Sequence, residues 1–128
     1  MGPSPNAAAV ERFIDTFNRQ DLDGFTEVLD PEVEILSGRG PRRGREEARI
    51  WATFKPGGVQ QKVVIDELRE NGDAVVALTR RQWYWDGTDE LASEEEMAHL
   101  FVVRNGLVAR WQPFEDRAEA LRAAEVDP

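Results

Sequence analysis

The sequence predicts an α+β domain in which N-terminal helices pack in a curved, largely antiparallel sheet. Two observations carry this prediction. Apolar residues recur at the helical period of 3.6 through the first 54 residues. From residue 60 onward the period changes to two, which is typical of strands buried on one side.

Three helices are predicted in the N-terminal half. The first covers residues 7–19. Its apolar face is formed by Val10, Phe13, Ile14 and Phe17. Asp21 is a suitable N-cap for a short second helix, which Pro31 ends. A loop over residues 37–44 leads to the third helix at residues 45–54.

The strands follow in the second half, after one short strand at residues 32–35. They are predicted at residues 60–70, 74–85, 94–103 and 107–114. Asn71-Gly72 and Asp86-Gly87 are turn sequences between them. Asp116 begins a last helix, with Glu119 placed to complete a capping box.

Length and composition limit the classes of function. The 128 residues are expected to form one domain over 1–128, of which residues 1–6 are a flexible tail. The chain has no cysteine, so no disulfide is expected, and its single histidine opposes a His-based metal site. An all-carboxylate metal site has no motif in this sequence, and we expect no metal and no cofactor. A net charge of −9 opposes nucleic-acid binding, and no apolar run can cross a membrane. A cytoplasmic protein is expected, and the excess of arginine over lysine suggests a bacterial source.

The register of the last hairpin decides which residues share a face with His99. A two-residue Asn105-Gly106 loop pairs His99 with Gln112, whereas a three-residue loop over 104–106 pairs it with Trp111. Since burying polar groups is costly, the second register is favoured. Its buried face holds Met97, His99, Phe101, Ala109, Trp111 and Pro113.

Four stretches carry a resemblance to a known family. They are VERFIDTFNRQDLDGFTEVLDPEVEI from Val10, GREEA from Gly44, FVVRNGLVARW from Phe101 and FED from Phe114. In this order they resemble the SnoaL-like polyketide cyclase and ketosteroid isomerase group of the nuclear transport factor 2-like superfamily. The resemblance implies a cone-shaped α+β barrel with an apolar pocket at its open end. It also implies a homodimer formed through the outer face of the sheet.

Most of the ketosteroid isomerase machinery has no counterpart here. Where that resemblance implies a tyrosine and a general-base aspartate, this chain has Phe13 and Ile35. The position of the second carboxylic acid corresponds to His99, and the cyclase-like pattern has an aspartate base at the same place. Steroid isomerisation by that mechanism is therefore not expected, but His99 occupies a position that its relatives use.

His99 and Arg81 are the predicted catalytic residues. An imidazole can act as a general base or donate a hydrogen bond to a substrate oxygen; the alternative is a hydrogen-bonded core histidine. Arg81 either points inward, where it can anchor an anionic or carbonyl group beside Glu95 or Glu115, or lies on a solvated or dimer face.

The predicted ligand pocket is rich in aromatic side chains, which suit flat apolar ligands but also fill cores. It consists of Phe13, Phe17, Ile35, Trp51, Phe54, Trp83, Met97, Phe101, Trp111 and Glu115.

Two functions that use the pocket are compatible with these residues, and a third alternative is a scaffold in which the dimer face is the only functional surface. The first is a pocket protein that binds a small apolar or aromatic molecule without catalysis. The second is a cofactor-free isomerase or cyclase in which His99 moves a proton beside a carbonyl. The missing hydroxyl at Phe13 and the missing carboxylate at Ile35 favour the first.

Overall fold

A computed structural model of the protein describes residues 4–38, 40–53 and 59–125. Its helices are α1 (Pro5–Arg19), α2 (Leu22–Glu27), α3 (Arg45–Thr53) and α4 (Arg117–Ala123). Its strands are β1 (Leu29–Ser37), β2 (Gly40–Arg43), β3 (Val59–Asn71), β4 (Ala74–Trp85), β5 (Leu91–Arg104) and β6 (Leu107–Phe114).

The strands form a single curved sheet in the order β2-β1-β6-β5-β4-β3. Neighbouring strands are antiparallel, except that β1 runs parallel to β6. Within the described ranges the sheet does not close, because β2 and β3 remain its two edges. The predicted α+β fold with a curved, largely antiparallel sheet is confirmed.

Opposite faces of the sheet bury two separate apolar clusters. On the concave face, Phe13 of α1 packs against Phe25 of α2 and Phe101 of β5, with ring centroids 4.9 and 5.0 Å apart. On the convex face, α4 covers β4 and β5. That second cluster comprises Val76, Leu78, Ala98, Leu100, Ala120, Leu121 and Ala124. Because α1, α2 and α3 occupy the concave face, a cavity on that face lies between these helices and the sheet.

The N-terminal segment differs from the predicted flexible tail. Residues 1–3 lie outside the described part of the chain, but Ser4 is the N-cap of α1. Its hydroxyl accepts a hydrogen bond from the Ala7 amide at 3.0 Å. Pro5 and Asn6 already belong to the helix, since a proline is tolerated at the first helical position.

Two boundaries near β1 were also predicted wrongly. The helix α2 ends at Glu27, and Pro31 lies within β1 instead of ending the helix. The segment predicted as a loop contains β2, whose Pro41 and Arg42 pair with β1. A proline fits an edge strand because that strand has an unpaired side.

The last hairpin has neither of the two registers that the sequence offered. Its loop is the two-residue Asn105-Gly106 turn, in which both residues have positive φ. A bulge between Val102 and Val103 then shifts the pairing. His99 therefore pairs with Pro113 rather than with Trp111, which pairs with Phe101. The bulge also moves Ala109 out of the predicted buried face, and it lines a groove on the outer surface.

Asn18 ties α1 to the free edge of the sheet. Its side-chain amide donates to the Val63 carbonyl at 2.8 Å, and its side-chain oxygen accepts from the Val63 amide at 2.9 Å. These are backbone groups of an edge strand, which would otherwise be open to another chain. This pair of hydrogen bonds, which we call the Asn18 clamp, fixes the distance between α1 and β3. Val63 is one of the residues on the concave face.

We expect Asn18→Ala to lower the free energy of unfolding by about 2 kcal/mol, because two partly buried backbone groups lose their partners. Urea unfolding followed by circular dichroism measures the change. Asn6→Ala is the matched control, since Asn6 makes a single exposed bond to the Gly72 carbonyl. Equal effects of the two substitutions would contradict a special role for the clamp.

Candidate functional site

A cavity of about 240 Å³ lies on the concave face, beside the C-terminal half of α1. The helix contributes Phe13, Ile14 and Phe17. The strands β3 and β4 contribute Gln61, Val63, Arg81 and Trp83. The strands β5 and β6 contribute His99, Trp111 and Pro113. The remaining lining residues are Ser37, Gly38 and Trp51.

Aromatic rings packed at tilted angles form one wall of this cavity. Trp51 on α3 packs against Trp111 on β6 with centroids 4.7 Å apart, and Phe17 on α1 lies 5.6 Å from Trp51. The imidazole of His99 continues the series, 5.0 Å from Trp111. Four different elements thus contribute rings to the same space, a surface suited to a flat apolar ligand.

His99 is buried, with 4% of its surface exposed. Its cross-strand neighbours are Ala77 on β4 and Pro113 on β6, and neither side chain has a polar atom. No hydrogen-bond partner for the buried Nδ1 is found in the part of the chain that the structure describes. Buried polar groups are normally satisfied, so this imidazole, which also lines the cavity, has hydrogen-bonding capacity that the described residues do not use.

Burial also keeps this imidazole neutral. Removal from water, and to a smaller extent the positive charge of Arg81, lowers the pKa of His99 from 6.5 to about 3. At neutral pH the ring therefore offers one N–H donor and one acceptor nitrogen. An imidazole with so low a pKa is a weak general base near pH 7.

Arg81 faces the cavity from β4, next to Trp83 on the same strand face. Its Nε and Nη2 both donate to Oε1 of Glu95, the residue that it pairs with on β5. The guanidinium carbon lies 5.3 Å from the centre of the Trp83 ring. About a third of the Arg81 side chain remains exposed, which places it at the rim of the cavity.

The structure separates the other predicted pocket residues into two groups. Those that line the cavity are Phe13, Phe17, Trp51, Trp83 and Trp111. Those that do not line it are Ile35, Met97, Phe101 and Glu115. The first three are buried in the protein interior by packing against neighbouring elements. Glu115 is exposed, because the chain leaves β6 at Phe114 and turns toward α4. Phe54 lies outside the described residues.

Several lining residues were not predicted as pocket residues. They are Ile14, Ser37, Gly38, Gln61, Val63 and Pro113. Strand alternation contained the signal for some of them, since Gln61 and Val63 share parity and pair directly with Trp83 and Arg81. Ser37 and Gly38 carry no such signal, because their position depends on where β1 ends.

The chemistry available in the cavity is narrow. Among the described residues, the lining contains no aspartate or glutamate, and its one permanently charged side chain is Arg81. No cluster of three or more potential metal ligands is found in the described ranges. The cavity therefore combines an apolar body, a neutral imidazole and a guanidinium at the rim.

Comparison with a family profile identifies the family to which this chain belongs. The profile of the SnoaL-like domain matches residues 10–111. The chain belongs to the SnoaL-like domain family. The match includes at least part of every element that lines the cavity of this SnoaL-like domain, from Val10 in α1 to Trp111 in β6, and leaves the lining residue Pro113 outside it.

Solved structures share the cone-shaped fold of this SnoaL-like domain. An LEH-like epoxide hydrolase from M. tuberculosis superposes with a TM-score of 0.74 at 18% identity, covering 94% of this chain and 85% of that one. TerC, co-crystallised with polyporic acid, gives 0.74 at 22% identity, covering 95% and 99%. A computationally designed 17-OHP binder gives 0.72 at 15% identity, covering 88% and 93%. At these identities the likeness shows the fold alone.

Two further comparisons gave negative results. No protein with curated annotation matches the chain significantly. Among the described residues, no helix has both the length and the apolar character needed to cross a membrane.

The buried neutral His99 is expected to weaken the SnoaL-like domain in acid. Between pH 6.5 and about 3, the unfolded chain carries a proton on His99 that the native state excludes. As the pH is lowered through this range, the free energy of unfolding should therefore decrease by up to about 1.4 kcal/mol per pH unit because of this residue. We expect His99→Leu to remove this pH dependence. The free energy of unfolding of the variant should therefore increase relative to that of the wild type as the pH is lowered from 7 to 4.

Urea unfolding of both proteins at several pH values measures this difference. Asp66 also loses its stabilising effect in acid, because hydrogen bonds from Arg117 and Arg80 lower its pKa. That contribution is common to both proteins and cancels in the difference. Parallel stability profiles for wild type and variant would show that His99 is charged or solvated in the native state.

Proposed function

We propose that this SnoaL-like domain binds a small, largely apolar aromatic molecule, with the neutral imidazole of His99 as the polar contact. The observation that carries the proposal is a cavity walled by Trp51, Trp111 and Phe17 and lined by the imidazole of His99, whose buried Nδ1 has no partner among the described residues. A ligand with one hydroxyl or carbonyl group would satisfy the imidazole while its rings cover the indoles.

The size of the cavity supports a ligand of one or two rings. Its volume of about 240 Å³ exceeds the roughly 150 Å³ of an engineered apolar cavity that binds benzene. The value is slightly below the range of about 300–1,000 Å³ typical of sites for drug-sized ligands. A fused bicyclic ligand therefore matches the space better than a four-ring steroid does.

Binding is a better account of this geometry than acid–base catalysis. A general base works best when its pKa lies near the working pH, whereas the pKa of His99 is about 3. The lining within the described residues supplies no carboxylate that could share the proton. The resemblance to cyclases and isomerases therefore supports the pocket and gives less support to the reaction. The homodimer and the cytoplasmic, bacterial setting expected from the sequence stay predictions.

We expect 2-naphthol to bind more tightly than naphthalene, because its hydroxyl can hydrogen-bond to His99. His99→Phe should reduce this preference by about fivefold to tenfold and leave naphthalene binding nearly unchanged. His99→Gln, which keeps a donor and an acceptor, should retain part of the preference. The measurement is an NMR titration that follows the indole N–H signals.

The indole signals also locate the ligand. Those of Trp51, Trp83 and Trp111 should shift, whereas that of Trp85 should not, because Trp85 is half exposed and does not line the cavity. Trp85→Phe is the control variant and should bind both probes as the wild type does. A preference for 2-naphthol that survives in His99→Phe would contradict the role of His99, and no shift with either probe would contradict the pocket.

A further inference from the structure

The charge of the cavity lining is opposite to that of the whole protein. The chain carries a net charge of −9, yet among the described lining residues Arg81 is a cation and none is a carboxylate. A positive side chain at the rim of a low-dielectric cleft attracts anions, even to an acidic protein. The lining therefore offers a cation to a ligand with a negative group, although Glu95 beside Arg81 offsets part of that charge.

The guanidinium of Arg81 is held in place while one of its edges stays free. Nε and Nη2 donate to Glu95, and the Trp83 ring lies beside the guanidinium carbon at 5.3 Å. Arginine has five N–H donors in a rigid planar fork. The two hydrogens of Nη1 and the second hydrogen of Nη2 have no partner among the described residues. This Nη1–Nη2 edge has the geometry that binds a carboxylate through two parallel hydrogen bonds.

A second donor lies next to this edge. Gln61 on β3 pairs directly with Trp83, so it is a diagonal neighbour of Arg81 on the same face of the sheet. Diagonal neighbours are about 7–8 Å apart at the backbone, a distance that long side chains can bridge. Both side chains line the cavity, and the Gln61 amide makes no hydrogen bond within the described residues.

We propose that the natural ligand is an aromatic carboxylate, whose carboxylate binds the free edge of Arg81 and the amide of Gln61. This inference rests on the proposed function, because the rings occupy the same aromatic wall that leads to His99. It adds the acidic group and its position at the rim. Glu95 then has two roles: it orients Arg81, and it partly neutralises the charge that attracts the ligand.

The ion pair with Glu95 does not prevent such binding. The two side chains are about one third and one half exposed, and an exposed pair of this kind is only weakly stabilising. A ligand carboxylate needs the opposite edge of the guanidinium, so the pair can stay in place. Removing the Glu95 charge should therefore strengthen anion binding without opening the cavity.

The test compares 2-naphthoate with its neutral isostere 2-naphthamide by isothermal titration calorimetry. Wild type should bind 2-naphthoate about tenfold more tightly than 2-naphthamide, and added salt should weaken only the binding of 2-naphthoate. Arg81→Gln should abolish this preference and leave 2-naphthamide binding within about twofold. Glu95→Gln should raise the affinity for 2-naphthoate by about threefold. Arg80→Gln is the matched control, because Arg80 is adjacent on β4 but contacts Asp66 and Glu94 outside the cavity.

The possible outcomes separate this inference from the proposed function. If 2-naphthamide binds but 2-naphthoate is not preferred, the cavity is a ligand site and the carboxylate inference is wrong. If the preference persists in Arg81→Gln, the anion binds elsewhere and the inference is again wrong. If neither probe binds, both proposals fail. A preference that disappears in Arg81→Gln, persists in Arg80→Gln and increases in Glu95→Gln supports the inference.

Discussion

The cavity exists because a helix extends much less per residue than a strand does. With 15 residues, α1 extends about 22 Å, whereas β4 with 12 residues extends about 40 Å. The helix therefore covers only part of the concave face. Beneath it, Val75 and Ala77 are fully buried in the core. Farther along the same strand face, Arg81 and Trp83 line the space that remains.

The sequence was informative wherever a short repeat determines the structure. The change of period from 3.6 to two gave the helices and the long strands, and strand parity put Arg81 and Trp83 on one face. The sequence was uninformative wherever the structure of a segment depends on pairing with residues distant in the chain. The bulge beside Val103 changed the hairpin register, and β2 exists only through pairing with β1. Ile35 has the correct parity but is covered by other elements, which no local pattern reveals.

The two polar side chains His99 and Arg81 of the site have opposite surroundings. His99 has apolar neighbours on both adjacent strands, so its cost of burial is not repaid within the described protein. Arg81 is held by a carboxylate and an indole and keeps its charge at the rim. The result is a gradient of polarity, from a charged entrance to a neutral interior. A ligand with an anionic end and an uncharged body matches such a gradient when the anionic end lies at the entrance.

The parallel pairing of β1 with β6 has a consequence for how the molecule assembles. The strands β3 to β6 are joined by successive hairpins, which close short loops and can form early. By contrast, β1 must find its partner at the far end of the chain, because Ile35 pairs with Trp111. During synthesis, the first helices leave the ribosome well before β6 does. The Trp51–Trp111 contact therefore cannot form before residue 111 is available, so the wall that would hold the ligand depends on the last strand of the sheet.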